Sequence, residues 1–422
     1  MSLLVFLGIA TLLLTPSSYN FAPALFTVVA LGKIIKQSLF KKNNNGEQLR
    51  SLSLGTDYLY QRKWLKYISV VLIIYFLVFV LYRLIMHGHN NEMDNPSRAL
   101  LFLPLLWYPF SFDLKKLLDK IFIGSAIGGV VACFVASYGK WVLHAERAFP
   151  NKYMYIQAGD MSMSLALFAL VGMIWMLHNQ HYYKFGIMFA GFNGGVFASV
   201  ISGSRGGWLI LIPVLVWLVI SSRALVGKKA ISVVVAVLAV IIVGSIVAPH
   251  SEIEKRYNDT VTNIVKYQEN DTNTSIGLRF DMWKSAWIAI QEKPIIGWGV
   301  QGMTQKKEAL IRQHIVSPEI RQFTHVHNQY LNDWAERGIL GLLSLLSIFI
   351  VPFIVCIRYI RKAVKGSPQY VMAVLGAIHI LAVASYGLSQ GFLEHNSGNM
   401  FYFFVLSLFM GLLLHSREGS VK

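Results

Sequence analysis

Charge is what this chain has least of. Asp, Glu, Lys and Arg together make 14% of its 422 residues, against about a quarter in an ordinary soluble protein. So little charge excludes a soluble globular chain of this length. Cysteine is scarcer still, with Cys133 and Cys356 the two present. Both fall inside apolar runs, so neither a disulfide framework nor a cysteine-based metal site is indicated. Acidic residues are also few, 21 against 38 basic ones, for a net charge of +17. No Asp-x-Asp pair stands in the polar stretches. Internal repeats with a period of 20–50 residues, and symmetry between the two halves, are likewise missing, which argues against the commonest transporter architectures.

What is abundant is apolar: 55% of the chain, with a mean hydropathy of +0.51. These residues gather in runs of about 17 to 22, the length a helix needs to cross a ~30 Å hydrocarbon core. Twelve runs stand at 2–16, 20–38, 64–86, 99–113, 119–139, 161–178, 185–202, 207–222, 230–249, 338–357, 370–388 and 399–414. The expected fold is therefore all-α, a polytopic membrane protein of about 12 transmembrane helices. The first run lacks a charged leading segment and a small-residue cleavage site, so it is expected to stay as a helix rather than act as a signal peptide.

The basic residues are not spread evenly. Lys33, Lys36, Lys41, Lys42, Arg50, Arg62, Lys63 and Lys66 lie between the second and third runs, against Glu47 and Asp57. Lys115, Lys116, Lys120, Lys184, Arg223, Lys228, Lys229, Arg358, Arg361, Lys362, Lys365, Arg417 and Lys422 fall in alternate connections further along. This set of connections sums to about +16 and the opposite set to about +1, which by the positive-inside rule places both termini in the cytoplasm. The same asymmetry explains the basic balance without a nucleic-acid partner.

Between Pro249 and Arg337 no membrane-length apolar run occurs. The expected organisation is nine transmembrane helices in 1–249, an outer loop subdomain in 250–337, and three more helices with a cytoplasmic tail in 338–422. The loop has helical texture. Ile276, Phe280, Trp283, Trp287 and Ile290 recur at the spacing of one helical face, with Thr274 or Ser275 as the N-cap. Pro294-Ile-Ile-Gly-Trp-Gly299 forces a turn, and a further helix is expected from His327 through Trp334 to Glu336. Asp333 and Glu336 read as helix-surface charges.

Four arginines lie on the outer side, against the charge bias: Arg98, Arg147, Arg205 and Arg279. Each alone reads as a snorkelling or headgroup contact; together they also read as an anion site. Arg205 is the sharpest. Gly and Ser around it, in Ser202-Gly-Ser-Arg-Gly-Gly-Trp208, allow close backbone approach and leave amides free at a helix start, an arrangement suited to phosphate. The same pattern also serves a tight helical hairpin. His325-Val-His327-Asn328 offers groups that titrate near neutral pH, for use as general base or hydrogen-bond donor. No further ligand set completes a metal site there, and surface histidines without a role are the alternative. Asn328 is placed to orient the ring or bind a sugar hydroxyl. Glu394, in the last outer link, reads either as a charge facing water or as a functional carboxylate.

The order of these features resembles the O-antigen ligase and polymerase superfamily. The residues that carry the resemblance are Gly203-Ser-Arg205-Gly-Gly, Gly277-Leu-Arg279, Pro294-Ile-Ile-Gly-Trp-Gly299, and His327-Asn-Gln-Tyr-Leu331 through Glu336-Arg-Gly338. Asn95-Pro-Ser-Arg98, the Arg147 loop and Arg256-Tyr-Asn258 are most similar to the lipopolysaccharide ligase branch. The resemblance implies a GT-C-like membrane glycosyltransferase of the bacterial inner membrane with its active site in the periplasm. It would move a polysaccharide from undecaprenyl diphosphate to a sugar hydroxyl of lipid A–core, with inversion and without a nucleotide sugar, metal or other cofactor. His327, Arg279 and Arg205 are the expected catalytic residues; Arg98, Arg147, Asn328, His325 and Glu394 are expected to bind the substrate or its diphosphate. Family members carry an acidic group near the last outer link, where this chain offers both Gln390 and Glu394. An O-antigen polymerase, with a lipid-linked repeat unit as acceptor, is the nearest alternative. A transporter of lipid-linked sugar is a third, and it would ask for ionisable residues buried in several spans.

Overall fold

The computed structural model describes residues 2–43, 56–108, 113–145, 147–150, 153–204, 206–222 and 273–416, with isolated residues between 258 and 265. Among these the secondary structure is helical throughout. The main elements are α1 (Ser2–Ala10), α2 (Ser18–Asn43), α3 (Thr56–Ile85), α4 (Arg98–Leu101), α5 (Leu103–Trp107), α6 (Leu114–Ser137), α7 (Tyr155–His178), α8 (Tyr182–Ser202), α9 (Gly206–Ser222), α10 (Gly277–Glu292), α11 (Gly299–Arg312), α12 (Gln329–Lys362), α13 (Pro368–Tyr386) and α14 (Asn396–His415).

Eight of these helices, among the described residues, are long and apolar enough to cross a membrane, so the protein is a multi-pass membrane protein. The count of twelve is not reached. The 2–16 run is a nine-residue helix followed by turns. The 99–113 run breaks into the short α4 and α5, because Phe102 leaves helical geometry just ahead of Pro104, whose ring cannot continue a preceding helix. The 207–222 run forms α9, 17 residues long. The 230–249 run lies outside the described residues.

Helices α14, α7 and α13 are buried along most of their length and form the centre of the bundle. Outer helices are inside-out by the standards of soluble proteins. On α3, Ile68, Leu72, Tyr75 and Phe79 point inward while Val70, Ile74, Leu77, Leu81 and Leu84 are exposed, as expected where the solvent is hydrocarbon. With no hydrophobic drive between helices in lipid, close packing must supply the attraction. Small residues provide it where α6 meets α8: a Cβ on Gly191 would overlap Ala126, and one on Gly129 would overlap the Gly191 carbonyl.

Residues 277–335 build a second core of their own. Met282, Ala286, Ala289, Ile290, Leu310, Ile311, Val316 and Ile320 pack with Val326 and Ala335. Helix α10 forms where its spacing places it, with the Thr274 hydroxyl accepting from the Gly277 amide at 3.0 Å. Its buried face differs from the expected one. Ser285, Ala286 and Ala289 turn inward because small side chains let α10 approach its neighbours, and Trp287 is left at the rim, 49% exposed, edge-on to Trp334. Helix α11 has no counterpart in the expectations.

The start of α12 belongs to this subdomain and the rest to the membrane body. The two parts meet at Gly338, whose φ of 59° and ψ of −160° interrupt the helix in a region open essentially to glycine alone. A Cβ there would overlap the Ile295 carbonyl. Two backbone bonds clasp the break: Trp298 N–H donates to Ala335 O at 2.9 Å, and Ile339 N–H to Pro294 O at 3.0 Å.

Candidate active site

The starts of α2, α4, α7, α12 and α14 converge at one end of the bundle. Asn396 accepts from Arg98 Nε at 3.1 Å and donates to Asn20 at 3.0 Å. Gln157 of α7 donates to the Phe392 carbonyl at 3.2 Å, and Asn95 donates to the Glu394 carbonyl at 2.6 Å. At the opposite end Gln61 meets Ser416 and Arg358 covers Trp64.

The link between α8 and α9 begins at Gly203, whose φ of 72° ends α8 in a left-handed cap. Ser204 then donates its hydroxyl to Asp160 Oδ1 at 2.6 Å, and the Gly207 amide donates to the same carboxylate. Arg205 itself lies outside the described residues. Arg279, in the first turn of α10, brings its charge within reach of both Asp160 and His327. The Arg279 charge therefore acts on both the carboxylate that holds the α8–α9 link and the imidazole.

His327 has a left-handed backbone, φ 50°, a conformation that side chains other than glycine rarely hold without a local reason. Here the reason is a tight turn in which its amide donates to His325 Nδ1 at 3.3 Å. The two rings are 4.5 Å apart, and His395 lies 5.3 Å from His325. Burial holds all three neutral. It pushes His327 down to about 3, with further depression from His325, Arg279 and His395. His395 falls to about 4 through burial and the field of His325, against the opposing pull of Glu394. His325 is lowered by burial and partly restored by Glu394. The Nδ1 of His327 is buried and has no hydrogen-bond partner among the described residues.

Beneath the histidines is a buried polar network. Glu394 Oε1 accepts from Gln329 at 3.1 Å and Asn332 at 3.2 Å, so it is not a loop charge facing water. Asp333 and Glu336 are buried rather than on the surface. Both pair with Arg337, at 2.7 and 2.8 Å, and its guanidinium stacks on Phe79 at 3.9 Å. Ionisable side chains thus do occur inside helices that otherwise read as spans, close to this one end.

The remaining expected residues have structural partners. Asn328 caps α12: its Oδ1 accepts from the Tyr330 and Leu331 amides, both at 3.1 Å, and its Nδ2 donates to Leu388 O. That occupies the amide proposed for a sugar hydroxyl. Arg98 also donates to the Ser97 hydroxyl, at 2.9 Å. Arg147 lies over the Tyr155 ring, 5.2 Å away, at the start of the helix that carries Asp160. Among the described residues no three His, Cys, Asp or Glu side chains are grouped to hold a metal ion. Asp160, Gln329, Asn332 and His395 are members of this site that sequence reasoning missed. A carboxylate directly ahead of the 161–178 run was the available signal for the first.

A sequence profile of the O-antigen ligase family matches residues 190–346. An uncharacterized protein of Haemophilus influenzae is 34% identical over 411 residues, covering 97% of each chain. The chain belongs to the O-antigen ligase superfamily. Members of that superfamily are membrane glycosyltransferase-like enzymes that act on lipid-linked polysaccharides. In this member the matched stretch begins within α8 and ends within α12, so it contains Arg205, Arg279, His325 and His327. Asp160, Glu394 and His395 lie outside it, yet the fold brings them against it.

Proposed function

We propose that this protein is an O-antigen ligase that transfers polysaccharide from undecaprenyl diphosphate to a sugar hydroxyl of lipid A–core at the periplasmic face of the inner membrane. The observation that carries this reading is that the Arg279 charge acts on both His327 and Asp160, the carboxylate that holds Ser204 of the α8–α9 link. A guanidinium so placed can hold a diphosphate while an imidazole faces the incoming hydroxyl.

In the reaction the acceptor oxygen attacks the anomeric carbon, forming the new glycosidic bond. The bond to the diphosphate oxygen breaks, its electron pair leaves with undecaprenyl diphosphate, and the configuration inverts. Negative charge grows on the leaving diphosphate, and cations already in place stabilise it without reorganisation. Arg279 and Arg205 fill that role. His327 takes the hydroxyl proton. In the empty site it is too weak a base for this, but a bound diphosphate beside Arg279 offsets the positive field and raises its proton affinity.

The reading is tested with purified protein in detergent micelles, given lipid-linked glycan and lipid A–core. Transfer without a sealed compartment, lost in Arg279→Ala, Arg205→Ala and His327→Ala, supports it and excludes a transporter. Elongation of the lipid-linked glycan with bare core left behind would make the enzyme a polymerase instead. Full transfer by all three variants would remove the site.

A further inference from the structure

Asp160 is fully buried within α7, and the reaction above assigns it no part. A carboxylate inside a membrane helix is costly and is retained where it has something to hold. Asp160 grips the α8–α9 link on both sides of position 205, through the Ser204 hydroxyl at 2.6 Å and the Gly207 amide. The glycines let the link lie close against its neighbours: a Cβ on Gly206 would come to 2.7 Å from Ser389 Oγ, and one on Gly207 to 3.0 Å from Ser199 Oγ. Upstream, the Ser204 amide donates to Ser202 Oγ at 3.1 Å, and that hydroxyl donates to Ser199 O at 2.7 Å, so the end of α8 is braced up to Ser204. The second oxygen, Oδ2, is buried and has no hydrogen-bond partner among the described residues, and the Arg279 charge acts on the group.

Building on the ligase reading, we infer that Asp160 is a positioning residue for the diphosphate site, fixing the α8–α9 link through Ser204 and Gly207 and offsetting the Arg279 charge while the site is empty. The two roles pull anion binding in opposite directions. Loss of the grip loosens the link and weakens binding; loss of the negative charge removes a repulsion and strengthens it. Two substitutions separate them. Asp160→Asn keeps an oxygen for Ser204 and removes the charge, whereas Ser204→Ala removes the grip and keeps the charge.

The experiment uses the full chain in detergent micelles, with undecaprenyl diphosphate as the binding probe and glycan transfer to lipid A–core as the rate. Asp160→Asn is expected to bind the probe several-fold tighter than wild type, and kcat falls by about the same factor because the product undecaprenyl diphosphate is held longer. Ser204→Ala is expected to bind the probe more weakly and to lose about tenfold in kcat. A merely structural carboxylate would lower binding, rate and unfolding midpoint together. That pattern in Asp160→Asn, or rates within about twofold of wild type in both variants, overturns the assignment. Arg279→Ala distinguishes the two levels. Probe binding and transfer untouched by it would sink the ligase reading and this inference together. Their loss in Arg279→Ala, with Asp160→Asn and Ser204→Ala unaffected, sinks the inference alone.

Discussion

At the end of the bundle where α6 begins and α12 finishes, basic side chains stand in water. Lys116 is 86% exposed, and Lys184 pairs with Asp119 at 2.8 Å from a partly open position. At the other end Arg337 is 5% exposed, between two carboxylates and a phenyl ring, and the charge of half-buried Arg279 acts on an imidazole and a buried aspartate. The first group acts by number. A topology signal is a sum over loops, so no single lysine has to be anywhere in particular. The second group acts by position. Each cation is shielded from water in part or in full, so its effect depends on which atoms surround it. Sequence charge counts see the first kind well and the second kind poorly.

The largest effect that could break this comparison is on activity. Arg279→Ala should lower transfer roughly a hundredfold or more, about 3 kcal/mol of transition-state stabilisation, and His327→Ala about 10²–10⁴-fold. Lys116→Ala should leave transfer unchanged. Lipopolysaccharide ladders from cells with equal membrane levels of each variant report this, and a full ladder from Arg279→Ala would erase the contrast.

Stability comes next. Arg337→Met strands Asp333 and Glu336 without their cation, a change expected to cost about 3–5 kcal/mol and to lower the unfolding midpoint clearly. The exposed Arg321–Glu308 pair, although bidentate at 2.8 and 3.0 Å, should be removable by Glu308→Ala with no measurable shift. Thermal unfolding in the same detergent compares the two.

Acidification gives a graded test. His327 and His395 are held neutral in the fold at about 3 and 4, whereas in the unfolded chain they bind protons below about pH 6.5. The unfolded state therefore takes up more protons as pH falls through that window, and the stability present above pH 6.5 is lost progressively towards pH 4. His327→Gln should flatten that slope in a plot of unfolding midpoint against pH. An unchanged slope would mean the imidazole is not held neutral.

The smallest effect is kinetic. With a free-enzyme His327 near 3, kcat/KM should show no acid limb from this residue above about pH 5. A bound diphosphate raises its proton affinity, so kcat should bend at a higher pH than kcat/KM does. Coincident profiles would say that the diphosphate does not act on the imidazole.

Much of the fold was legible because lipid imposes simple rules: length and hydropathy locate the long spans, and alternate loops carry the lysines. The break at Phe102 and Pro104 was less so, since an apolar stretch reads alike whether or not its helix continues. Helix α11 escaped because its buried positions, Met303, Leu310 and Ile311, are few among polar neighbours. On α10 the tryptophans were placed on the buried face by their spacing, but alanine and serine occupy most of it because small side chains allow closer approach. Of the site, Arg279 and the histidine pair were legible as polar groups collected on one side. Asp333 and Arg337 sit at the spacing of a helical ion pair, but periodicity does not distinguish a buried pair from an exposed one. Asn328 was legible as a polar residue before a helix and was assigned chemistry, whereas its geometry is that of a cap. Asp160 was hidden by its apolar neighbours.

The glycine joint in α12 has a mechanical consequence. Because the 294–298 turn is hydrogen-bonded to Ala335 and Ile339 on either side of Gly338, the loop that carries the histidines is tied to the long membrane helix through this joint. A bilayer thicker or thinner than the helix prefers makes such a span tilt. On the ligase reading, a tilt passed through the joint would move the imidazoles relative to Arg279 and make transfer depend on acyl-chain length, and reconstitution in lipids of graded length should then reveal an optimum.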